Sequence, residues 1–376
     1  MSSRARRPTP RRALRRLGWA LILLVSLLAM ASCSTLGYYG QAIWGQTRIL
    51  VKRRDVGKLV ADPATPDELR AKLRTVERLV DFAAGEIGLP DNGSYRTYVE
   101  LHPAPDGSRR RAVVWNVTAA PELSTRPLTW CFPIAGCVSY RGYFSRRRAE
   151  RFAERLARRG YDVAVGGAAA YSTLGWFRDP VLSTVVDYPE VDLAALLFHE
   201  LAHQLVYVPG DTRFNESFAT AVEIAGVRRW LAATGRDEAA MHAYLAGMRR
   251  EEQFAELVLA YRDRLQAAYD ADASAEEKRR RKAELLAELE RAYRELRASW
   301  SGVPDYDGWF GRDLNNAHLV AVGAYHEFVP GFERLLAECG GELECFYAVV
   351  RELAAAEPEA RERRLSATAI TGPTSR

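Results

Sequence analysis

Residues 196–226 read LLFHELAHQLVYVPGDTRFNESFATAVEIAG, and the rest of the chain is organised around this stretch. It contains an HExxH array formed by His199, Glu200 and His203. On a helix this spacing puts both imidazoles on one face, where they can bind a single metal ion. The surrounding residues are strongly apolar, and buried imidazoles without partners are costly. The array therefore predicts one Zn²⁺ ion with Glu200 as general base; the alternative is an amphipathic helix that binds no metal.

A third metal ligand is expected from the second half of the stretch. Catalytic zinc usually has three protein ligands, and Asn215-Glu216 follows the array by twelve positions at the start of a second predicted helix. Glu216 is the candidate ligand, and Asn215 is expected to support it or to contact substrate. Glu223 lies two turns further along the same face. It is predicted to hydrogen-bond a ligand histidine, and it remains the alternative third ligand.

The amino-terminal residues predict export. Residues 4–16 carry seven arginines and no acid, residues 17–30 are an apolar run, and Ala31-Ser32-Cys33 ends the segment. This is the pattern of a secretory signal, and it resembles a bacterial lipobox in which Cys33 is lipidated. The alternative is an uncleaved anchor helix. We expect a lipid-anchored protein of the bacterial cell envelope that faces the periplasm or another extracytoplasmic space, with the outer membrane favoured.

Charge and cysteine content agree with this location. Without residues 1–32 the chain has 46 Lys and Arg against 48 Asp and Glu, so the basic balance belongs to the signal and gives no support for nucleic-acid binding. The four remaining cysteines form two closely spaced pairs, Cys131/Cys137 and Cys339/Cys345. An even number in an oxidising compartment predicts disulfides, most simply two local ones, although pairing between the two regions is also possible.

The periodicity of apolar residues predicts an α+β fold that is predominantly helical, with a small β-sheet beside the HExxH helix and a long helical hairpin. Helices are expected over 34–62, from Thr65 as cap to Gly88, over 146–160, and over 237–271 and 275–299 as the hairpin. Strands are expected over 95–101, 112–117 and 138–144, and another is expected to begin at Tyr161. The polar residues beyond Glu357 predict a frayed tail. The predicted division is a signal over 1–32, a helical and β region over 33–145, a catalytic core over 146–235, the hairpin over 236–300, and a carboxy-terminal helical part over 301–376 that completes the active site.

Further residues are candidates for substrate binding and transition-state stabilisation. Ala170–Gly175, just before the HExxH helix, could line the cleft, with Tyr171 as a hydrogen-bond donor to an oxyanion. Tyr325 is the first choice for that donor among later residues, and His326 the second. An acid must pair with a substrate α-ammonium if the chain is an exopeptidase, and the eligible acids are Glu223, Glu327, Asp179 and Asp187.

Several motifs together carry a family resemblance. HELAHQ and FNESFATAVE, with DNGSY, WCFPIAGCVSYRGYF, AYSTLGWFRDPVLST and NNAHL, resemble the bacterial putative aminopeptidase family of exported, usually lipid-anchored zincins, over about Leu36 to Glu357. The resemblance implies that His199, His203 and Glu216 are zinc ligands and that Glu200 is the catalytic base. The FNESFA element is also similar to that of the gluzincin aminopeptidases. Its distance from HExxH is shorter here, however, and no GxMEN-type motif is present.

These observations predict a zinc-dependent metallopeptidase that acts on peptides or proteins, with aminopeptidase activity as the first hypothesis. An endopeptidase that acts on envelope proteins would use the same residues in an open-ended cleft. A non-catalytic lipoprotein that serves as a binding module is the third hypothesis. Unlike an enzyme, it would tolerate replacement of Glu200 by glutamine.

Overall fold

The computed structural model describes residues 37–103, 111–132, 136–236, 238–301, 306–322 and 327–366. Cys33, Tyr325 and His326 therefore lie outside the described residues. The chain divides into two units, Met1–Val51 and Lys52–Arg376, and in the first unit residues 37–51 form helix α1. No helix among the described residues is both long and apolar enough to span a bilayer. The finer five-part division stays a prediction.

The second unit is predominantly helical with small sheets, which confirms the predicted α+β class. Its helices are α2 (Val56–Ala61), α3 (Asp67–Gly85), α4 (Arg146–Ala157), α5 (Glu190–Leu205), α6 (Thr212–Ala233), α7 (Glu238–Asp270), α8 (Ala275–Ser299), α9 (Asp307–Phe310), α10 (Asn316–Val320), α11 (Val329–Glu338), α12 (Leu343–Ala354) and α13 (Pro358–Ser366). The strands are β1 (Arg54–Asp55), β2 (Thr97–Val99), β3 (Val114–Pro121), β4 (Trp130–Phe132), β5 (Gly136–Val138), β6 (Tyr140–Tyr143), β7 (Tyr161–Ala168) and β8 (Val181–Leu182).

The strands form three small sheets. One has the order β1-β2-β8 and another the order β6-β3-β7, in which β3 pairs antiparallel with both neighbours. The third is the antiparallel hairpin β4-β5, and a disulfide joins Cys131 to Cys137 across it. A second disulfide joins Cys339 to Cys345, between the end of α11 and the start of α12. Both disulfides are local.

The main hydrophobic core surrounds α5 and α6, which contain the HExxH stretch. Phe198, Phe214 and Phe218 are completely buried there, together with apolar residues of α3, α11 and α12. Gly226 lets α5 and α6 approach closely, because a Cβ atom at this position would lie 2.7 Å from the Phe198 ring. Tight packing of the two helices fixes the geometry of the site that they share.

The first predicted helix is interrupted, so the prediction of one helix over 34–62 is wrong. The structure instead has α1, then strand β1, and then α2. Arg54 and Asp55 pair with Tyr98 and Thr97 of β2, and the Asp55 side chain accepts a hydrogen bond from the backbone N–H of Lys58 to cap α2. Long-range strand pairing and a local cap thus override a continuous apolar pattern.

Helix α3 begins one residue later than predicted. Pro66, in an extended conformation, is its cap residue and makes no side-chain cap, so the prediction of Thr65 as cap is wrong. The Thr65 carbonyl instead accepts a hydrogen bond from Arg70, whose guanidinium also donates to the carbonyls of Asp62 and Pro63. This arginine organises the loop in place of a capping hydroxyl.

Residues 358–366 are ordered, which contradicts for this part of the segment the frayed tail predicted from its polarity. They form α13, and Arg361 is only 7% exposed. The Arg361 guanidinium donates to the Asp211 carboxylate at 3.0 Å, while the other Asp211 oxygen accepts from the backbone N–H of Phe214 to cap α6. An internal charge partner therefore holds this arginine-rich helix against the start of α6.

Helices α7 and α8 form the predicted helical hairpin, and Asn316 joins it to the β6-β3-β7 sheet. Asn316 is completely buried, and its amide donates to the carbonyls of Pro121, Glu122 and Ser124. Its side-chain oxygen accepts a hydrogen bond from Tyr269 of α7. The Asn316 side chain therefore forms hydrogen bonds both with the helical hairpin and with the carbonyls at the end of β3.

We expect Asn316→Ala to lower the free energy of unfolding by about 2–4 kcal/mol, because it leaves several buried polar groups without partners. Guanidinium unfolding of the full chain measures the change. Glu256→Ala, an exposed change on α7, is the control and should alter stability by less than about 0.5 kcal/mol. Equal stability of the two variants would show that the amide does not join the substructures.

The buried His318 predicts a loss of stability in mild acid. Burial, followed by the charge of Arg312, lowers the pKa of His318 to about 4, although Asp162 and Asp313 oppose the shift. The unfolded chain, with a histidine pKa of about 6.5, therefore binds a proton that the folded chain does not. Stability should fall as the pH decreases from about 6.5 to about 4, by at most about 3 kcal/mol. Unfolding measured across this range should show a smaller pH dependence for His318→Gln; an unchanged slope would contradict the assignment.

Candidate metal centre and cleft

The HExxH array lies on α5, and Glu216 lies in the second turn of α6. The rings of His199 and His203 meet edge to face, with centroids 4.8 Å apart, one helical turn from each other. Asn215 fixes the loop between the two helices, since its side chain accepts from the Val208 N–H at 2.7 Å and donates to the Val208 carbonyl at 2.8 Å. Asn215 is 2% exposed, so its observed contacts are with the loop that places Glu216.

Three potential ligand atoms converge at the centre of the site. Nε2 of His199 lies 3.2 Å from Nε2 of His203 and 3.3 Å from Oε2 of Glu216, which is 3.7 Å from Nε2 of His203. Ligand atoms about 2.0–2.1 Å from a tetrahedral zinc ion lie roughly 3.3 Å from each other. The observed separations match such an arrangement. Among the described residues this is the group of three whose ligand atoms lie close enough to hold an ion.

Glu223 contacts the opposite side of the His199 ring. Its Oε2 lies 2.9 Å from Nδ1 of His199, and its Oε1 accepts a hydrogen bond of 2.6 Å from the Tyr244 hydroxyl. A carboxylate on Nδ1 favours the tautomer that leaves Nε2 free to bind a metal. The geometry therefore places Glu216, and not Glu223, beside the converging nitrogen atoms. Tyr244 of α7 connects the helical hairpin to this arrangement.

The electrostatics of the group favour a positive charge at its centre. Burial alone would lower the pKa of His199, but hydrogen bonds to Glu216 and Glu223 outweigh it and raise the pKa to about 10. Burial raises the pKa of Glu216, but its contacts with the two histidines lower it to about 2. A proton or a metal cation would satisfy the same group. This set of two imidazole nitrogens and one carboxylate oxygen fits a divalent ion such as zinc.

The surroundings of the Glu200 carboxyl favour its protonated form. Burial raises the pKa of Glu200, while the charges of His199 and His203 oppose this shift. The buried Tyr95, at a backbone φ of 61°, lies within electrostatic range of Glu200 and Asp179, and burial first and then these carboxylates raise the pKa of Tyr95. A carboxylate with a raised pKa is suited to accept and return a proton near neutral pH.

Two loops meet at the end of α5. Gln204, the residue after the HExxH array, accepts hydrogen bonds from Asn92 at 2.7 Å and from Ser94 at 3.3 Å. Gly175, with φ of 77°, passes so close that a Cβ atom would lie 2.8 Å from the Asn92 amide. A glycine is therefore required at this position, where the DNGSY and AYSTLGWF segments meet the end of HELAHQ.

A cleft of about 670 Å³ opens between α5 and α7, on the Glu223 side of His199, and neither His203 nor Glu216 lines it. His199, Glu200 and Glu223 line one end of it, and Asp192 and Glu251 are further acids in its wall. The other lining residues are Val191, Ala195, Leu196, Ala240, Ala243, Tyr244, Gly247, Met248 and Arg250. The lining of the cleft is thus partly apolar and partly acidic, and it includes Glu200, the predicted general base.

The acids proposed from the sequence for substrate binding have other contacts. Asp179 is 2% exposed and accepts hydrogen bonds from Thr173, and Glu327 forms an exposed ion pair with Arg213 at 3.1 Å. Asp187 is not among the residues that line the cleft. Asp192 and Glu251 were missed, although Asp192 lies on α5 itself, and Glu251 comes to the cleft only through the folding of α7 beside it.

The segment before α5, which was predicted to line the cleft, is not a strand. Residues 169–180 contain no strand, and the Tyr171 ring packs edge to face on Phe144 at 5.5 Å. Tyr207, directly after α5, lies edge to face with His203 at 6.4 Å. Glu216 is within electrostatic range of both Tyr207 and Tyr140 of β6. Sequence reasoning missed both tyrosines, although Tyr207 follows His203 by four positions in the pattern HExxHxxxY.

The fold and the site together define a helical α+β protein with a His-His-Glu group that is compatible with a metal ion. The chain belongs to the family described as "Putative aminopeptidase", whose model matches residues 37–365. The family resemblance inferred from the motifs is therefore confirmed. No match was found among curated proteins or among solved structures.

Proposed function

We propose that the chain is a zinc-dependent metallopeptidase with a zincin-type active site, and that it acts as an aminopeptidase. The observation that carries the proposal is the convergence of His199, His203 and Glu216, with Glu200 adjacent on α5 and a cleft that leads to it. Membership of the aminopeptidase family supports peptide hydrolysis as the reaction.

The proposal gives each residue of the site one role in peptide hydrolysis. His199, His203 and Glu216 would hold zinc, which when bound supplies Lewis acidity and lowers the pKa of water to about 7. Glu200 accepts the proton of the attacking water and returns it to the leaving amine. Glu223 and Tyr244 keep the His199 ring in the orientation that directs Nε2 toward the centre of the group.

The acidic wall of the cleft supports aminopeptidase specificity. Asp192 and Glu251 line the same cavity as Glu200, so they are the candidates to pair with the α-ammonium group of a substrate. An endopeptidase would instead bind a blocked chain through the cleft. Hydrolysis of matched free and N-acetylated peptides by the zinc-loaded full chain tests this difference. Release of amino-terminal residues only from free peptides supports the aminopeptidase, and equal cleavage of blocked peptides contradicts it.

We also propose that the protein is exported and anchored by a lipid on Cys33. The two local disulfides are consistent with an oxidising compartment. Replacement of Cys33 by alanine should move the protein from the membrane fraction to the soluble fraction of the bacterium. An unchanged distribution would contradict lipid anchoring at this residue.

A further inference from the structure

We propose that the Tyr207 hydroxyl, with Tyr140 beside it, donates the hydrogen bond that stabilises the oxyanion of the tetrahedral intermediate. The inference rests on the proposed peptidase function and assigns it a further catalytic residue. Water addition to a peptide carbonyl moves a full negative charge onto the carbonyl oxygen. Donors that are already in place at that oxygen lower the barrier without reorganising during the reaction.

The backbone around Tyr207 is held on both sides. The Val206 N–H donates to the Ala202 carbonyl at the end of α5, and both backbone groups of Val208 are bonded to the Asn215 side chain. Tyr207 thus lies between two fixed residues, with its ring edge to face with the His203 ring. Its side chain is 39% exposed, so substrate can reach it. This arrangement is that of a preorganised group at the edge of the metal-ligand cluster.

Tyr140 reaches the same place from a different element. It is the first residue of β6, next to the β4-β5 hairpin, and is 45% exposed. The Tyr140 hydroxyl lies within electrostatic range of Tyr207 and Glu216, and the Tyr207 hydroxyl within electrostatic range of Glu216.

Both hydroxyls are available to a substrate. Among the described residues, neither the Tyr207 nor the Tyr140 hydroxyl forms a hydrogen bond with the protein, whereas the Tyr244 hydroxyl is bonded to Glu223. Tyr95 is buried and therefore not accessible to a substrate. Tyr207 and Tyr140 are therefore exposed to substrate, and each has a hydroxyl that can donate a hydrogen bond.

The test compares Tyr207→Phe, Tyr140→Phe and the double variant with the wild type, all as zinc-loaded full chains. Tyr161→Phe, on β7, is the control for loss of a partly exposed tyrosine hydroxyl. We expect Tyr207→Phe to lower kcat about 10²- to 10³-fold with little change in KM or zinc content. Tyr140→Phe should have a smaller effect, and the control should have none.

A phosphonate peptide, whose charged oxygen mimics the oxyanion, separates catalysis from structure. Its affinity for Tyr207→Phe should fall in parallel with kcat/KM, while a substrate-like peptide amide should bind as in the wild type. Unchanged kcat in Tyr207→Phe, or a loss of activity confined to Tyr140→Phe, would overturn the assignment of Tyr207. Failure of the proposed function has a different signature, because Glu200→Gln would then also leave hydrolysis unchanged.

Discussion

Glu200→Gln is expected to reduce kcat/KM for peptide hydrolysis by about 10²- to 10⁴-fold, the usual contribution of a general acid–base group. Glutamine keeps the shape of the side chain but cannot accept a proton from water. Because Glu200 lies beside the ligand group and its oxygen atoms are not among the converging ligands, zinc content should stay the same. Steady-state hydrolysis of a free peptide, with metal analysis of the same sample, measures both quantities.

Glu77→Gln on α3 is a suitable control, because it also replaces a carboxylate by an amide but at a residue that does not line the cleft. It should leave kcat/KM within about twofold of the wild type, as expected of a surface change. Full activity in Glu200→Gln would contradict its role as base and would favour a binding module. Loss of zinc in the same variant would show that Glu200 supports the metal and not the proton transfer.

Zinc affinity should fall in a graded order when Glu216, Glu223 and Tyr244 are replaced one at a time. Glu216→Ala removes an atom of the converging group, so its loss of affinity should exceed the roughly 10- to 100-fold effect of changing an outer partner. Glu223→Gln should lie within that range, because it weakens the contact with Nδ1 of His199. Tyr244→Phe, which acts through Glu223, should have the smallest effect.

Competition with a zinc-binding dye gives these affinities, and guanidinium unfolding shows whether each variant is folded. His242→Ala, which changes an exposed histidine two residues before Tyr244 on α7, is a control that should leave zinc affinity unchanged. A larger loss for Glu223→Gln than for Glu216→Ala would reverse their roles. It would then support Glu223 as the third ligand, the alternative that the sequence left open.

The sequence predicts best where one local pattern decides the structure. Helix α8 spans Ala275–Ser299 as predicted, and Ser274 with Glu277 forms a capping box at its start. The spacing of His199, His203 and Glu216 also led to the group that the structure brings together. In both cases residues on one helix, or on two helices joined by a short loop, carry the information.

Predictions from the sequence were wrong or incomplete where distant segments meet. Strand β1 interrupts a continuous helical pattern because it pairs with β2, more than forty residues away. Glu251 and Tyr140 approach the site through the packing of α7 and β6, which no local pattern reveals. The order of α13 likewise depends on Arg361 and its partner Asp211, 150 residues apart. Long-range pairing of this kind depends on the whole fold.

The most direct test of a catalytic metal at His199, His203 and Glu216 is the metal dependence of hydrolysis by the full chain. Zinc should be removed with a chelator, and activity on a free peptide should then be measured while zinc is added back. We predict that the metal-free chain is inactive and that activity returns in proportion to zinc, reaching its maximum at one ion per chain. Full hydrolysis by the metal-free chain, or no binding of zinc at all, would contradict this account.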